Sequence, residues 1–427
     1  MRHFATTHGM EPQLCHPATT HWGRDKGGIG WGGVWVKGGD RLKGRLTGMW
    51  VRQGQIERLW IVLHVVLERH ACGDQQNGFS PISTTILAKM IGRDFACAAL
   101  AKLREIGFLD CDGTYCPKRK AKGYRFTPEI AALEAQWHPL SDALSSRISR
   151  WQEDRSMFAV NAHPSHRILW DSLQTLSLHP LAKGKMPSVA GGTESQLKRD
   201  AWQQSAHAVE SRRWHFSYDP KSGRVFNNLT SLPKVMRSYA LLNDQPCAEI
   251  DIRNSQPFFL AGLYTDRCAE ALRYVEVVAS GRFYEALNEA SGVPYDPNDR
   301  DALKEATYVQ VLFGRRYQSS PLWSGFVKLF PRLSGIIAES KARDHRLLPI
   351  ELQRLEASAM IGKVVPRLAV EFPHTPFLTV HDSLVVPCAL AEQAAEILKE
   401  VIREETGRIP SLRITRPASW LDTACCF

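Results

Sequence analysis

The sequence has 427 residues, enough for two or three domains, and its 44% hydrophobic and 23% charged content is typical of a soluble globular protein. A formal net charge of +10 favours a polyanionic partner. The most apolar run, Leu59 to Leu67, is far shorter than the roughly 20 residues of a membrane span, so we expect a cytoplasmic protein with no membrane partner.

Residues 1–54 are rich in glycine, histidine and basic residues and lack a sustained period, which predicts a flexible basic leader. The ten cysteines show no paired framework. Cys111 and Cys116 are close in sequence, but no second pair or nearby histidine completes a zinc site. We therefore expect ordinary reduced thiols.

Residues 55–128 are interpreted as a winged helix-turn-helix domain. Three segments with apolar residues at helical spacing precede two short strand patterns, at 55–70, 83–92, 94–106, 107–111 and 123–127. Three helices followed by such a hairpin resemble a winged helix-turn-helix.

Basic residues cluster at the tip of the predicted hairpin: Lys118, Arg119, Lys120 and Lys122. Cations on a wing are well placed to contact phosphates, so one interpretation is nucleic-acid binding. The alternative is that the unit contacts proteins and the charges form a solvated loop. Loss of duplex binding after neutralising the four charges would favour the first interpretation.

Residues 129–213 have a mixed, mostly helical pattern and carry no recognisable chemistry, which predicts a helical connector with a thumb-like arm. At Trp214 an alternating strand begins. A turn at 219–223 and the return strand at Arg224 predict a β-hairpin.

Two aspartates interrupt apolar strand patterns far apart in the sequence. Asp251 ends a predicted buried strand that turns directly into an apolar helix, and Asp382 lies within the apolar pattern 377–386. Burying a charge is costly unless a cation or a set of donors compensates it. We therefore expect adjacent strands to bring both carboxylates to one site, the alternative being two unrelated turn or capping residues.

The expected occupants of this site are two Mg²⁺ ions, with Mn²⁺ as an alternative. Mg²⁺ takes hard oxygen ligands and keeps several waters, so Asp251, Asp382 and the main-chain carbonyl of Ile252 suffice as protein ligands. Two such ions stabilise the attacking and leaving oxygens in nucleotidyl transfer.

A predicted helix carries Arg300 and Lys304 at positions i and i+4, so both cations lie on one face, which is suited to bind the phosphates of a nucleoside triphosphate. Tyr308 shares that face and is the preferred aromatic to stack near the base. Phe313 falls on the opposite side at regular helical pitch, unless the helix carries a bulge. The alternative for both cations is a solvated surface.

Four segments in this order resemble family A (DNA polymerase I-like) polymerases over about half the chain, from Trp214 onward. They match the glycine-arginine hairpin segment and motifs A, B and C, at Ser222–Pro233, Asp251 with Ser255-Gln256, Arg300 and Lys304 with Phe313-Gly314, and Val380-His381-Asp382-Ser383.

The resemblance implies an α+β fold, with a right-hand polymerase palm and helical fingers in residues 214–427, the fingers at about 265–350, after a thumb-like connector and a winged-helix domain. It also implies that Asp251 and Asp382 are catalytic. Arg224 and Gln353 would contact the template-primer duplex. His381 would touch the primer terminus, or else is a packed core histidine.

The chain also departs from family A. Its Ser-Gln pair lies two residues further from Asp251, and the following glutamate that screens the sugar 2′ position is absent. Gln256 and Phe258 occupy this region, and a bulky Phe258 can still exclude a ribose hydroxyl. The His-Asp-Ser sequence at Asp382 is closer to single-subunit, phage-type RNA polymerases of the same superfamily, so the choice of sugar stays open.

We expect template-directed nucleotidyl transfer, with template-primer nucleic acid and nucleoside triphosphates as partners. A DNA polymerase that replicates a plasmid, phage or other mobile element agrees best with these features. The alternatives are a single-subunit RNA polymerase or primase, and a non-catalytic DNA-binding replication initiator.

Overall fold

The computed structural model describes residues 31–46, 52–71, 78–114, 121–185, 192–263, 268–293, 299–315 and 317–417. Helices dominate this part of the chain, and every strand pair in it is antiparallel. The predicted mixture of helix and sheet is confirmed. Within these ranges, no helix combines the length and the apolar character needed to cross a bilayer.

The N-terminal core is built from residues between Trp31 and Ile148. Its elements are β1 (Gly33–Lys37), α1 (Gly39–Leu46), α2 (Gln53–Ala71), β2 (Ser80–Pro81), α3 (Thr84–Ile91), α4 (Arg93–Glu105), β3 (Leu109–Cys111), β4 (Gly123–Phe126), α5 (Pro128–Ala131) and β5 (Ala135–Pro139). The three predicted helices are confirmed as α2, α3 and α4. The predicted hairpin is confirmed as β3 and β4, with β2 on the other side of β4.

Residues 1–30 and 47–51 of the predicted flexible leader lie outside the described residues, and residues 31–46 differ from the prediction. There β1 pairs with β5 along its whole length, and Val34 and Val36 are fully buried. The alternation of Val34 and Val36 is a strand signal, but the surrounding glycines obscure it in the sequence. At the end of β1, the buried Lys37 forms an ion pair with Asp200.

The predicted connector, residues 129–213, includes most of α5 and all of β5, followed by α6 (Asp142–Val160), α7 (Pro164–Leu173), β6 (Leu176–Leu178), a 3₁₀ segment (Pro180–Lys185) and α8 (Gly192–Glu210). It is mostly helical, as predicted. The strands β5 and β6 were not predicted, because each is short and finds its partner strand far away in the sequence.

The remaining elements contribute to the largest core, except α10, whose Met236 packs in a small separate core with Ala182, Ala206 and Tyr239. In chain order, the elements are β7 (Phe216–Tyr218), β8 (Val225–Asn227), α9 (Asn228–Ser231), α10 (Lys234–Arg237), β9 (Ala240–Leu242), β10 (Gln245–Ile252), α11 (Ser255–Leu263), α12 (Ala269–Ala279), α13 (Phe283–Ser291), α14 (Arg300–Thr307), α15 (Pro321–Leu329), α16 (Pro331–Asp344), α17 (Leu347–Ala359), α18 (Val365–Glu371), β11 (Leu378–Val380), β12 (Ser383–Pro387), α19 (Ala391–Thr406) and β13 (Leu412–Thr415). Two π-helical turns, Tyr308–Leu312 and Met360–Val364, continue α14 and α17.

The strand β10 is the centre of a six-stranded sheet with the order β11-β12-β10-β9-β6, and β13 pairs with β10 as well. Alternate residues of β10 face opposite sides of the sheet. Ala248, Ile250 and Ile252 are buried in the core, whereas Glu249 and Asp251 are only half-buried on the other face. The sheet therefore presents Asp251 on the side away from its apolar packing.

Candidate active site

Asp251 and Asp382 meet at one end of the central strand pair. Asp251 on β10 lies opposite Ser383 on β12, so Asp382, one residue earlier, is beside it. Asp382 occupies the two-residue turn between β11 and β12, after His381 with φ 57°. A left-handed conformation costs a non-glycine residue roughly 1–2 kcal/mol, and such strain is concentrated at functional sites.

Donors from both neighbouring strands hold the Asp251 carboxylate. The Ser383 hydroxyl donates to Oδ1 at 3.0 Å, and Arg413 Nη2 donates to Oδ2 at 3.3 Å. Arg413 reaches this carboxylate because β13 places it directly opposite Asp251. The sequence gives no register for β13, so it could not indicate Arg413.

The Asp382 carboxyl is poorly compensated by the protein. Burial raises its pKa to about 7, and the charges of Glu356 and Asp251 add to the shift. Lys304 acts in the opposite direction, which shows that α14 brings a cation near this carboxyl. Such an excess of negative charge favours binding of a cation or protonation.

Glu356 on α17 joins three elements around the two aspartates. Its buried carboxylate accepts from Arg224 Nε at 2.9 Å and Nη2 at 2.6 Å, from the Ser255 hydroxyl at 3.2 Å, and from the Gln256 side-chain amide. Sequence reasoning assigned the contribution of this helix to Gln353, which is half-buried one turn earlier.

A signal for Glu356 was present in the sequence. It continues the i, i+4 stripe of Leu348 and Leu352, which are both buried. A carboxylate on the apolar stripe of a helix indicates a buried charge that is held by ion pairs or hydrogen bonds.

The α14 cations occupy different environments. Arg300 Nε pairs with Glu285 at 2.7 Å, and its Nη2 donates to Asn254 Oδ1 at 3.1 Å and to the Gly281 carbonyl at 3.2 Å. Arg300 therefore ties α14 to the turn that follows Asp251. Lys304 instead lies 5.7 Å from the Tyr308 ring, with its charge near Asp382.

The helix does carry a bulge, which corrects the predicted placement of Phe313. The π-helical turn follows α14 directly, and the Phe313 N–H donates to the Tyr308 carbonyl at 2.7 Å. The extra residue in this turn rotates Phe313 onto Tyr308, where the rings stack with centroids 5.0 Å apart. Both candidate aromatics are thus on one surface.

Tyr308 lies close to the carboxylates. Its hydroxyl accepts a hydrogen bond from the Tyr284 hydroxyl at 3.3 Å. Burial raises the pKa of Tyr308 to about 12, and the charges of Asp382 and Glu356 contribute to the shift.

The hairpin of β7 and β8 brings Arg224 to Glu356. Gly223 has φ 74°, and a Cβ there would lie 3.2 Å from Ala357, so the hairpin packs tightly on α17. His381 contacts Phe226 edge-to-face at 5.4 Å, and its buried Nδ1 has no partner among the described residues. Burial lowers the pKa of His381 to about 4, which keeps the ring neutral.

The segment after Asp251 differs from the expectation for sugar selection. Asn254, at φ 53°, makes the turn between β10 and α11. Gln256 is buried against Glu356. Phe258 is only 1% exposed and packs edge-to-face on Phe259, so the predicted contact with a nucleotide sugar disagrees with its position in the core.

The predicted wing is described only in part. Cys116, Lys118, Arg119 and Lys120 lie outside the described residues. Lys122 is exposed at the start of β4.

The donor set suits a hard divalent cation. Asp251 and Asp382 supply carboxylate oxygens, and the Ile252 carbonyl lies at the end of the same strand. Among the described residues, no cluster of three or more His, Cys, Asp or Glu side chains is arranged for a metal. Two carboxylates agree with Mg²⁺, which keeps several waters, and a bound cation would relieve the charge excess at Asp382.

No protein-family model and no curated protein matches the chain. Among solved structures it is similar to the POL domain of Pol1 from M. smegmatis in complex with DNA primer-template and dNTP, with a TM-score of 0.37 and 14% sequence identity. The similarity covers 64% of this chain and 65% of that one, which is less than two thirds of the other chain. A TM-score this low does not establish a common fold.

Proposed function

We propose that the chain is a template-directed nucleotidyltransferase, and that Asp251 and Asp382 hold two Mg²⁺ ions, with the Ile252 carbonyl as a further ligand. The supporting observation is the pairing of β10 with β12, which puts Asp251 opposite Ser383 and beside Asp382. The charge of Lys304 reaches the same place. Carboxylates for metal and a cation for phosphates are the groups that this chemistry needs.

In this proposal, residues of α14 and of the π-helical turn bind the incoming nucleotide. Bound Mg²⁺ ions supply charge stabilisation for the attacking and leaving oxygens. Lys304 contacts the triphosphate, and Arg300, which is held by Glu285 and Asn254, fixes α14 and lends positive charge. Tyr308 and Phe313 offer a ring surface for the base.

The opposite side of the site is suited to the template-primer duplex. The Arg224 side chain is 19% exposed and is oriented by Glu356, and we assign it a contact with the duplex. Gln353 lies on α17, the helix that carries Glu356, and His381 follows β11 directly and precedes Asp382. We assign these three residues to the primer terminus and the adjacent duplex.

We further propose that residues 214–427 form palm and fingers, and that residues 129–213 are a connector with a thumb-like arm. The order α2, β2, α3, α4, β3, β4 supports a winged helix-turn-helix in residues 55–128 that recruits nucleic acid. Such a pairing suits a DNA polymerase in the replication of a plasmid, phage or other mobile element.

A single-subunit RNA polymerase or primase is the second candidate. The observation that favours it is the burial of Phe258, which keeps this side chain from screening a ribose hydroxyl. Ser383 next to Asp382 also agrees with the RNA polymerase pattern. A non-catalytic replication initiator is the third candidate.

One experiment separates these candidates. The purified protein is given Mg²⁺, primed or unprimed templates, and dNTPs or NTPs, alongside Asp251→Asn and Asp382→Asn. We expect dNTP incorporation on primed DNA, with a loss of about 10³-fold or more in either variant. Asp244→Asn, at an exposed turn of the same sheet, is the matched control that stays active.

The other outcomes decide against parts of the proposal. Incorporation that survives both substitutions would contradict the metal assignment. Unprimed incorporation of NTPs would favour the RNA polymerase or primase, and no incorporation on any template would favour the initiator.

A further inference from the structure

Lys341 on α16 is a buried cation outside the site described above. It is 7% exposed, and among the described residues its ammonium group pairs with no carboxylate. Burial lowers its pKa to about 8. A buried lysine without an acidic partner is costly, so its contacts indicate what it is there to hold.

Those contacts are main-chain carbonyls and aromatic faces. Nζ donates to the Val311 carbonyl at 2.5 Å and to the Gly314 carbonyl at 3.1 Å. It also lies 4.0 Å from the Tyr317 ring centroid and 5.8 Å from that of Trp323. The three ammonium protons are thus directed to two carbonyls and a ring face.

The Val311 carbonyl belongs to the end of the π-helical turn that follows α14, and the Gly314 carbonyl comes two residues after Leu312, the last residue of that turn. The last carbonyls of a helix have no partner within the helix and form the negative end of its dipole. Lys341 supplies both hydrogen bonds and positive charge to this end from a different helix. At Gly314, the chain passes so close to the Val309 carbonyl oxygen that a Cβ would overlap it.

The π-helical turn in turn determines where the aromatic pair lies. Its Phe313-to-Tyr308 hydrogen bond stacks the two rings, and Lys304 is directed at the Tyr308 ring. A regular α-helix would place Phe313 on the far side. We propose that Lys341 is a positioning residue that caps this turn and thereby holds Tyr308 and Phe313 in place for the incoming nucleotide. The nucleotide part of this inference rests on the proposed function.

The test compares Lys341→Met with Arg343→Met in the full chain. Arg343 lies two residues later on α16, where it makes an exposed ion pair with Glu339, so it is a matched control. Hydrogen exchange is followed by mass spectrometry over residues 308–315. We expect exchange to be about tenfold faster there in Lys341→Met and unchanged elsewhere and in Arg343→Met.

The kinetic arm measures nucleotide incorporation on the preferred template. We expect the KM for the nucleotide to rise about tenfold in Lys341→Met while kcat changes less than about threefold, because the site chemistry is untouched. Lys341→Gln keeps a neutral hydrogen-bond donor at this position, so it replaces Lys341→Met in the test if that variant does not fold. We expect a smaller rise in the KM for the nucleotide in Lys341→Gln.

Each outcome supports or overturns a part of the inference. Unchanged exchange in residues 308–315 would overturn the capping role. Faster exchange with an unchanged KM would overturn the link to the nucleotide. If the wild-type protein incorporates no nucleotide at all, the proposed function fails, while the exchange comparison still decides whether Lys341 holds the turn.

Discussion

In two regions of the molecule, the negative charge of carboxylates is compensated by the protein to different extents. In the N-terminal half, Asp200 on α8 is matched by Lys37 on β1, and both side chains are fully buried. The Gln196 amide, at 2.8 Å, and the Ala135 N–H, at 3.3 Å, complete its hydrogen bonds. Burial lowers the pKa of Lys37, and the charge of Asp200 opposes that shift. This carboxylate is compensated within the protein.

At the candidate active site, Asp251, Asp382 and Glu356 lie near one another, and two of these three carboxylates form an ion pair with an arginine. Arg224 binds Glu356, and Arg413 binds Asp251. Among the described residues, Asp382 receives the more distant charge of Lys304 and a main-chain hydrogen bond, and its pKa stays raised to about 7. A compensated buried pair serves the fold, whereas an uncompensated group indicates a place for a ligand.

The largest expected effect breaks the compensated pair. Lys37→Ala leaves Asp200 charged and buried without its cation, so we expect the free energy of unfolding to fall by about 3–5 kcal/mol. Chemical denaturation measures the change. The double variant Lys37→Met with Asp200→Asn removes both charges and should recover most of the loss. A single variant as stable as wild type would contradict the contrast.

The opposite sign is expected at the active site. Asp382→Asn removes a negative charge that is repelled by the negative charges of Asp251 and Glu356. In EDTA at pH 8 we therefore expect the free energy of unfolding to rise by about 1–3 kcal/mol. The same denaturation assay measures it, with Asp244→Asn as the neutral control. A clear loss of stability would show that Asp382 is compensated in the fold after all.

The smallest effect concerns the counterion of Asp251. Arg413→Ala removes a half-exposed positive charge beside the proposed metal, so we expect Mn²⁺ affinity to rise by about threefold. Isothermal titration measures it, and Arg413→Lys, which retains the charge, is the matched control. Weaker Mn²⁺ binding in Arg413→Ala would instead make Arg413 an orienting group for Asp251.

The sequence predicts the local elements of the site well. The apolar strand patterns around Asp251 and Asp382 identify both strands, and the spacing of Arg300 and Lys304 identifies a helix face. These features depend on neighbouring residues and can be read from local periodicity. The pairing of β10 with β12 is non-local, but two aspartates in similar contexts indicate it.

What the sequence did not predict depends on register and on irregular backbone. The place of Arg413 follows from the pairing of β13 with β10, and that of Phe313 from one extra residue in a helical turn. Glu356 and Lys341 did leave a signal, since each continues an apolar i, i+4 stripe on its helix. Their partners, however, come from segments distant in the sequence.

The central claim is that Asp251 and Asp382 form one shared metal site, and Mn²⁺ binding followed by electron paramagnetic resonance tests it directly. Wild-type protein should bind Mn²⁺, and Asp251→Asn and Asp382→Asn should each weaken binding by about tenfold or more, with the double variant little worse than either. Wild-type affinity in either single variant, or additive losses in the double variant, would contradict a shared site.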